Sequence, residues 1–142
     1  MERAGQGGHD AGHRSPVPVV LYDADCGFCT WIVDHLADRV APGAVEIVAL
    51  QASRADVLLD GRVDDAAKWE SWHLVEPDGS LYSGGDAVPR VLRHVRGGRL
   101  AARIAARLPR TTTAAYRLAA RHRDRLGRVV GAERCRVPGA GR

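Results

Sequence analysis

The sequence predicts an α/β domain of element order β-α-β-α-β-β-α, followed by a basic helical extension. Three observations predict it. A short apolar run over residues 17–22, interrupted by Pro18, precedes a stripe of Trp31, Ile32, His35, Leu36 and Val40. That pattern is a buried strand feeding a helix packed on a sheet. A breaker, Ala41-Pro42-Gly43, separates this helix from a second apolar run over residues 45–50, which completes a β-α-β unit with parallel strands. Pro77-Asp78-Gly79 then joins two further short runs, the signature of an antiparallel pair.

The elements follow in order. The strand at 17–22 runs into Asp23-Ala24-Asp25-Cys26-Gly27-Phe28-Cys29 and a helix of about 14 residues. The second strand ends at Gln51. Residues 53–59 form a short helix capped by Ser53, and Asp64 starts another helical turn in the polar stretch 61–68. Residues 72–75 and 81–83 are the third and fourth strands. Gly84-Gly85-Asp86 leads into a helix over 87–95, with Asp86 as N-cap, Pro89 in the first turn and Gly97-Gly98 as the stop. In the next helix Leu100, Ile104 and Leu108 line one face and Arg99, Arg103 and Arg107 another. Pro109 breaks that helix, Thr111 or Thr112 caps a last one through Tyr116 and Leu118, and 131–142 is loop. The apolar stripe of the extension is expected to dock on the core, because isolated helices this short are marginal in water. The division is a disordered tail at 1–16, a core domain at 17–97, and helical extension with C-terminal loop at 98–142.

Composition narrows the class. A chain of 142 residues, 45% hydrophobic and 27% charged, suits one soluble domain with a sizeable core. No stretch approaches the roughly 18 apolar residues of a membrane span, and residues 1–16 have no apolar run of the signal-peptide kind. The expected compartment is the cytoplasm, where a cysteine pair rests largely reduced. Charge is asymmetric: residues 1–89 hold 15 acids and 6 bases, a net of −9, whereas residues 90–142 hold 15 bases and 2 acids, a net of +13. One consequence is an alternative function, a non-catalytic binding module whose basic C-terminal region engages nucleic acid or an anionic surface. The other is that basic helices dock on, or lie solvated beside, an acidic core. The segment has a single aromatic, Tyr116, for base stacking.

The chemistry lies at the first strand-to-helix turn. Cys26 and Cys29 are spaced as Cys-x-x-Cys, which in this context marks a redox dithiol. Cys26 falls at the helix N-terminus, where unpaired N–H groups and the helix dipole favour a thiolate. Cys29 lies one turn on, on the same face, placed to attack a mixed disulfide at Cys26. Cys26 is the candidate nucleophile and Cys29 the resolving thiol. The substrate is then a disulfide-containing protein or a small-molecule thiol, with no cofactor. Competing readings are a zinc half-site and a pair of ordinary core cysteines. Cys135 and six scattered histidines supply no second ligand pair, so no metal is expected. Asp23, at the strand end, is the candidate proton shuttle for Cys29, with capping or turn structure as its other role. Phe28, Trp69 and Trp72 either line an apolar substrate groove or, as aromatics of this kind more often do, belong to the core; Phe28, between the cysteines, is the one of the three expected to be exposed. Cys135 is either a third redox centre or an inert thiol.

Element order and dithiol position together form the thioredoxin-like pattern. Tyr22-Asp23-x-x-Cys26-x-x-Cys29, Leu50-Gln51, Ser83-Gly84-Gly85-Asp86-Ala87, Tyr116-Arg117-x-x-Ala120-Arg121-x-Arg123 and Cys135-Arg136-Val137-Pro138 resemble the DCC family of predicted thiol–disulfide oxidoreductases, over about residues 17–138. The resemblance implies a thioredoxin-like fold. Ala24 stands where that family usually has Gly, so this turn must avoid a positive φ there. Trp69-Glu70-Ser71-Trp72 lacks the proline that thioredoxins carry before the third core strand, so a trans peptide is expected. Gly84-Gly85-Asp86 resembles the glutaredoxin turn that holds the γ-glutamyl end of glutathione. There the backbone N–H groups would take a carboxylate and Asp86 an amine; the plainer role is a turn with an Asp cap.

Overall fold

The computed structural model describes residues 14–132. Four strands form one sheet in the order β2-β1-β3-β4: β1 Val19–Tyr22, β2 Glu46–Ala49, β3 His73–Val75 and β4 Leu81–Ser83. β1 and β2 are parallel, with Val20 opposite Ile47, while β1–β3 and β3–β4 are antiparallel. This is the pairing expected from one β-α-β unit and one hairpin, and the mixed α/β architecture is thioredoxin-like. All peptide bonds among the described residues are trans, and no non-glycine residue there has a positive φ, Ala24 included.

Alternation along β1 sends side chains to opposite faces. Val19 and Leu21 pack with Leu50, Ala55, Leu58 and Leu59, so α2 (Ser53–Leu59) covers that face. Val20 packs with Leu36, Val40, Leu74, Ala87 and Val91, so α1 (Gly27–Arg39) and α4 (Val88–Leu92) cover the other. α1 and α4 are tied at their C-terminal ends by a Val40–Val95 bridge and an Arg96 N–H to Arg39 carbonyl bond of 2.8 Å. A short α3 (Asp65–Glu70) is capped by Asp64, whose carboxylate accepts from the Ala67 N–H.

Several local expectations are corrected. The fold begins before residue 17: Ser15 is buried and its hydroxyl donates to Glu46. Ser53 is the first residue of α2, after an uncapped Ala52. The helix expected over 87–95 is a 3-10 turn at Gly84–Asp86 followed by the short α4, with Ala87 rather than Asp86 at the N-cap. Pro109 breaks the preceding helix as expected, α5 (Arg99–Arg107) ending just before it, but it also starts α6 (Pro109–Arg121) at once. Its missing N–H costs nothing in a first turn. Leu108 stands at the N-cap, so neither Thr111 nor Thr112 caps α6; the Thr112 hydroxyl bonds the Ala105 carbonyl.

The extension docks, though not through its expected stripe. Leu100, Ile104 and Leu108 are 68%, 52% and 51% exposed. Small residues make the close contacts instead. α6 lies on the 3-10 turn, where a Cβ at Gly85 would meet Thr113 Cα at 2.7 Å. α7 (Arg123–Val129) lies on α1, with Gly127 beside Phe28 and Ala132 against Gly27. Backbones approach where a side chain is missing, and a bulky stripe cannot follow into so narrow a gap.

Candidate functional site

The turn after β1 is built by short-range hydrogen bonds. Asp23 accepts from the Asp25 N–H at 3.0 Å, and its carbonyl accepts from the Cys26 N–H. Cys26, in an extended conformation, is the N-cap of α1: its Sγ accepts from the Cys29 N–H at 3.3 Å. A sulfur here takes the place usually held by a Ser or Asp oxygen. Neither Asp23 nor Asp25 caps the helix. Gln51, at the end of β2, braces the turn from the side, accepting from the Ala24 N–H at 3.2 Å and donating to Asp23 Oδ1 at 2.8 Å.

Both cysteines are free thiols, Cys26 buried and Cys29 half-buried. The Cys29 thiol and N–H both donate to Cys26, and with the nearby Arg123 they pull the Cys26 pKa from 9.0 down to about 6, against burial and the Asp23 charge. Cys29 is shifted the opposite way, far above the usual thiol range, because it donates to Cys26, is partly buried and faces the Cys26 charge. The pair is therefore one thiolate and one thiol near neutrality.

Beside Cys29 lies a cavity of about 380 Å³. Val20 and Tyr22 floor it, α1 and α4 wall it, and Tyr116 and Arg123 close the thiol end. Cys29 is on its wall, with Asp23, Phe28, Trp69 and Trp72. Phe28 is half-buried and stacks on Trp31 at 6.1 Å between ring centroids, and Trp31 packs against His35. The expected aromatic groove is thus a cavity between two helices.

The Gly84-Gly85-Asp86 turn is placed differently from a substrate-holding turn. Gly84, at φ +59, lies under the Tyr116 ring and its N–H bonds the Trp72 carbonyl. Gly85 lies under Thr113. Asp86 is exposed and faces a separate hollow with Tyr82, Arg90 and Thr112. The structure does not bring these three residues to the cavity that Cys29 lines, because α6 occupies the space in front of them.

Three residues of the site carry no role in the sequence reading. Gln51 was discoverable: parallel β1 and β2 end at the same edge, so a polar residue closing β2 faces the turn closing β1. Arg123 and Tyr116 arrive from α7 and α6, and no local pattern connects them to Cys26. Cys135 lies outside the described residues.

A family model described as DCC1-like thiol-disulfide oxidoreductase matches residues 20–129. The uncharacterized protein YuxK of Bacillus subtilis (strain 168) is similar at 29% identity over 82 residues, which is 58% of this chain and 59% of YuxK. The match therefore spans a little over half of that relative's length. No solved structure matches.

Proposed function

The chain belongs to the DCC1-like thiol-disulfide oxidoreductase family, and from that premise we propose that it exchanges its Cys26/Cys29 dithiol with a disulfide substrate. The observation that carries the reading is the Cys26 sulfur at the N-cap of α1, held as thiolate by the Cys29 N–H and thiol. The Cys26 thiolate attacks one sulfur of the substrate. The substrate S–S bond breaks, and its second sulfur leaves and takes up a proton. Cys29 then gives up its proton, attacks Cys26 Sγ and expels the first substrate sulfur. Two electrons pass from the protein to the substrate, with one proton from Cys29 and the other from solvent, because Cys26 has already lost its own.

Asp23 lines the same cavity as Cys29, and in this reading it receives the Cys29 proton. Phe28 contacts the substrate. The substrate is a small disulfide or a disulfide-bearing protein, and a reducing compartment, the cytoplasm, keeps the pair in its dithiol form. No helix among the described residues is long and apolar enough to cross a membrane.

The test is alkylation and trapping. Iodoacetamide should modify Cys26 first, Cys26→Ser should abolish turnover, and Cys29→Ser should accumulate mixed disulfides. Two thiols that both resist alkylation in the native protein would end the reading.

A second reading has its own support. Residues 87–123 hold ten arginines and no acid, and the exposed Leu100, Ile104 and Leu108 lie beside Arg99, Arg103 and Arg107. That combination suits an anionic lipid surface, with charge and apolar contact acting together. Binding to vesicles of phosphatidylglycerol but not phosphatidylcholine, weakened by salt and by Leu100→Ser with Ile104→Ser, is expected. Equal binding to duplex DNA that ignores both substitutions would favour a nucleic-acid partner instead.

A further inference from the structure

The cavity has a shape and a chemistry that narrow the substrate, on the premise that the dithiol exchange proposed above takes place. Along α1 its wall runs from Cys29 to Arg39, ten residues and so about 15 Å of helix. Opposite stand Val88, Val91 and Val95. Its volume of about 380 Å³ falls in the range of roughly 300–1,000 Å³ found for small-molecule sites. At the far end the Val40–Val95 bridge and the Arg96–Arg39 bond join the two walls. An extended polypeptide therefore cannot pass through between α1 and α4, whereas a cavity of this volume can hold a small molecule.

The wall is mostly apolar, with Asp23, His35 and Ser71 among its polar members, and cations stand at both ends: Arg123 by the thiols and Arg39 at the far end. Hydrophilic disulfides with several charged groups would lose their hydration on the aliphatic walls without regaining partners. A chain that is apolar in the middle and anionic at its tip loses nothing there, and its tip can pair with a guanidinium.

We propose that the cavity between α1 and α4 binds a small aliphatic disulfide ending in a carboxylate, with its sulfurs beside Cys29 and its carboxylate toward Arg39. The exchange is balanced as before. Cys26 opens the substrate disulfide to a mixed disulfide and a thiol, Cys29 resolves it, and the products are the protein disulfide and the substrate dithiol. A dithiolane ring on a pentanoic acid chain, as in lipoate, has these features and serves as the probe.

The experiment compares single-turnover reduction of lipoate and of hydroxyethyl disulfide by the reduced full-length protein. It adds octanoate, which has the chain and carboxylate but no sulfur. Lipoate should be reduced at least tenfold faster, octanoate should slow lipoate competitively and raise the melting temperature, and Val91→Trp should lower the ratio of the two rates at least tenfold. If Val91→Trp fails to fold, Ala119→Leu on the same wall serves. Reduction of hydroxyethyl disulfide at the same or a higher rate than lipoate, with no octanoate binding, overturns the cavity assignment and leaves the exchange reading standing. Octanoate binding with neither disulfide reduced overturns the exchange reading, and the substrate assignment with it.

Discussion

Removing the Cys29 thiol tests the electrostatics of the dithiol most directly. The Cys29 side chain is the largest cause of the low Cys26 pKa. In the wild type, lowering from 9.0 to about 6 makes Cys26 about 90% thiolate at pH 7, against about 1% for an ordinary thiol. That is roughly a 90-fold gain in the reactive form. A less basic thiolate is also a weaker nucleophile, and a Brønsted slope of about 0.4–0.5 over three units takes back about 16- to 32-fold. The net advantage at pH 7 is then only about three- to sixfold, too small to diagnose the cause. At pH 5 the thiolate ratio is about 900, so the net advantage becomes roughly 30- to 60-fold. The assay is therefore the pH profile of iodoacetamide labelling at Cys26, read by mass spectrometry from pH 4 to 9. The wild-type rate should rise through a midpoint near 6 and level off above pH 7. Cys29→Ala keeps the backbone N–H but loses the thiol donor, so its midpoint should move upward and its pH 5 rate should fall. A wild-type rate still climbing at pH 8.5, or a midpoint unmoved in Cys29→Ala, would refute the reasoning.

Three further outcomes are expected. Gly85→Ala places a Cβ 2.7 Å from Thr113 Cα, so α6 must shift, at a cost of about 1–3 kcal/mol; an unchanged urea midpoint would show that α6 does not pack there. His73 is buried between the Ser83 hydroxyl and the Lys68 carbonyl, and burial holds its pKa below 6.5. Stability should therefore be full above the unfolded-state value, decline as pH drops below about 6.5 toward the lowered folded value, and level off beneath it. A thermal melt series in which His73→Gln keeps the same slope would assign that decline elsewhere. Leu100→Ser with Ile104→Ser should leave stability within about 0.5 kcal/mol, as surface changes do; a loss above about 2 kcal/mol in chemical unfolding would mean that the stripe is packed.

Much of the fold was legible because its causes are local. The parallel and antiparallel pairings follow from one long crossover and one tight turn. Cys26 at the helix start follows from where an apolar run gives way to a helical stripe. Asp86 misled because Asp-x-x-Pro suits an N-cap equally well at several offsets, and packing under α6 selected the 3-10 turn. The α5 stripe misled because periodicity reports that a helix has an apolar face, not that anything covers it. Gln51 was within reach of topology alone, whereas Arg123 was not, since it comes to Cys26 from 97 positions away along the chain.

By itself the sequence determined the sheet, the dithiol and the end of the helix that carries it. The dithiol and the helix end depend on interactions within a few residues, which backbone sterics and helix-end hydrogen bonding dictate, and the sheet follows from one crossover and one tight turn. The tertiary structure alone decided the space between α1 and α4, the guanidinium beside the thiols and which apolar stripe stays in water. Those depend on how far apart packed helices come to rest, and at Gly27 and Gly85 that distance is set by a missing side chain meeting a distant backbone.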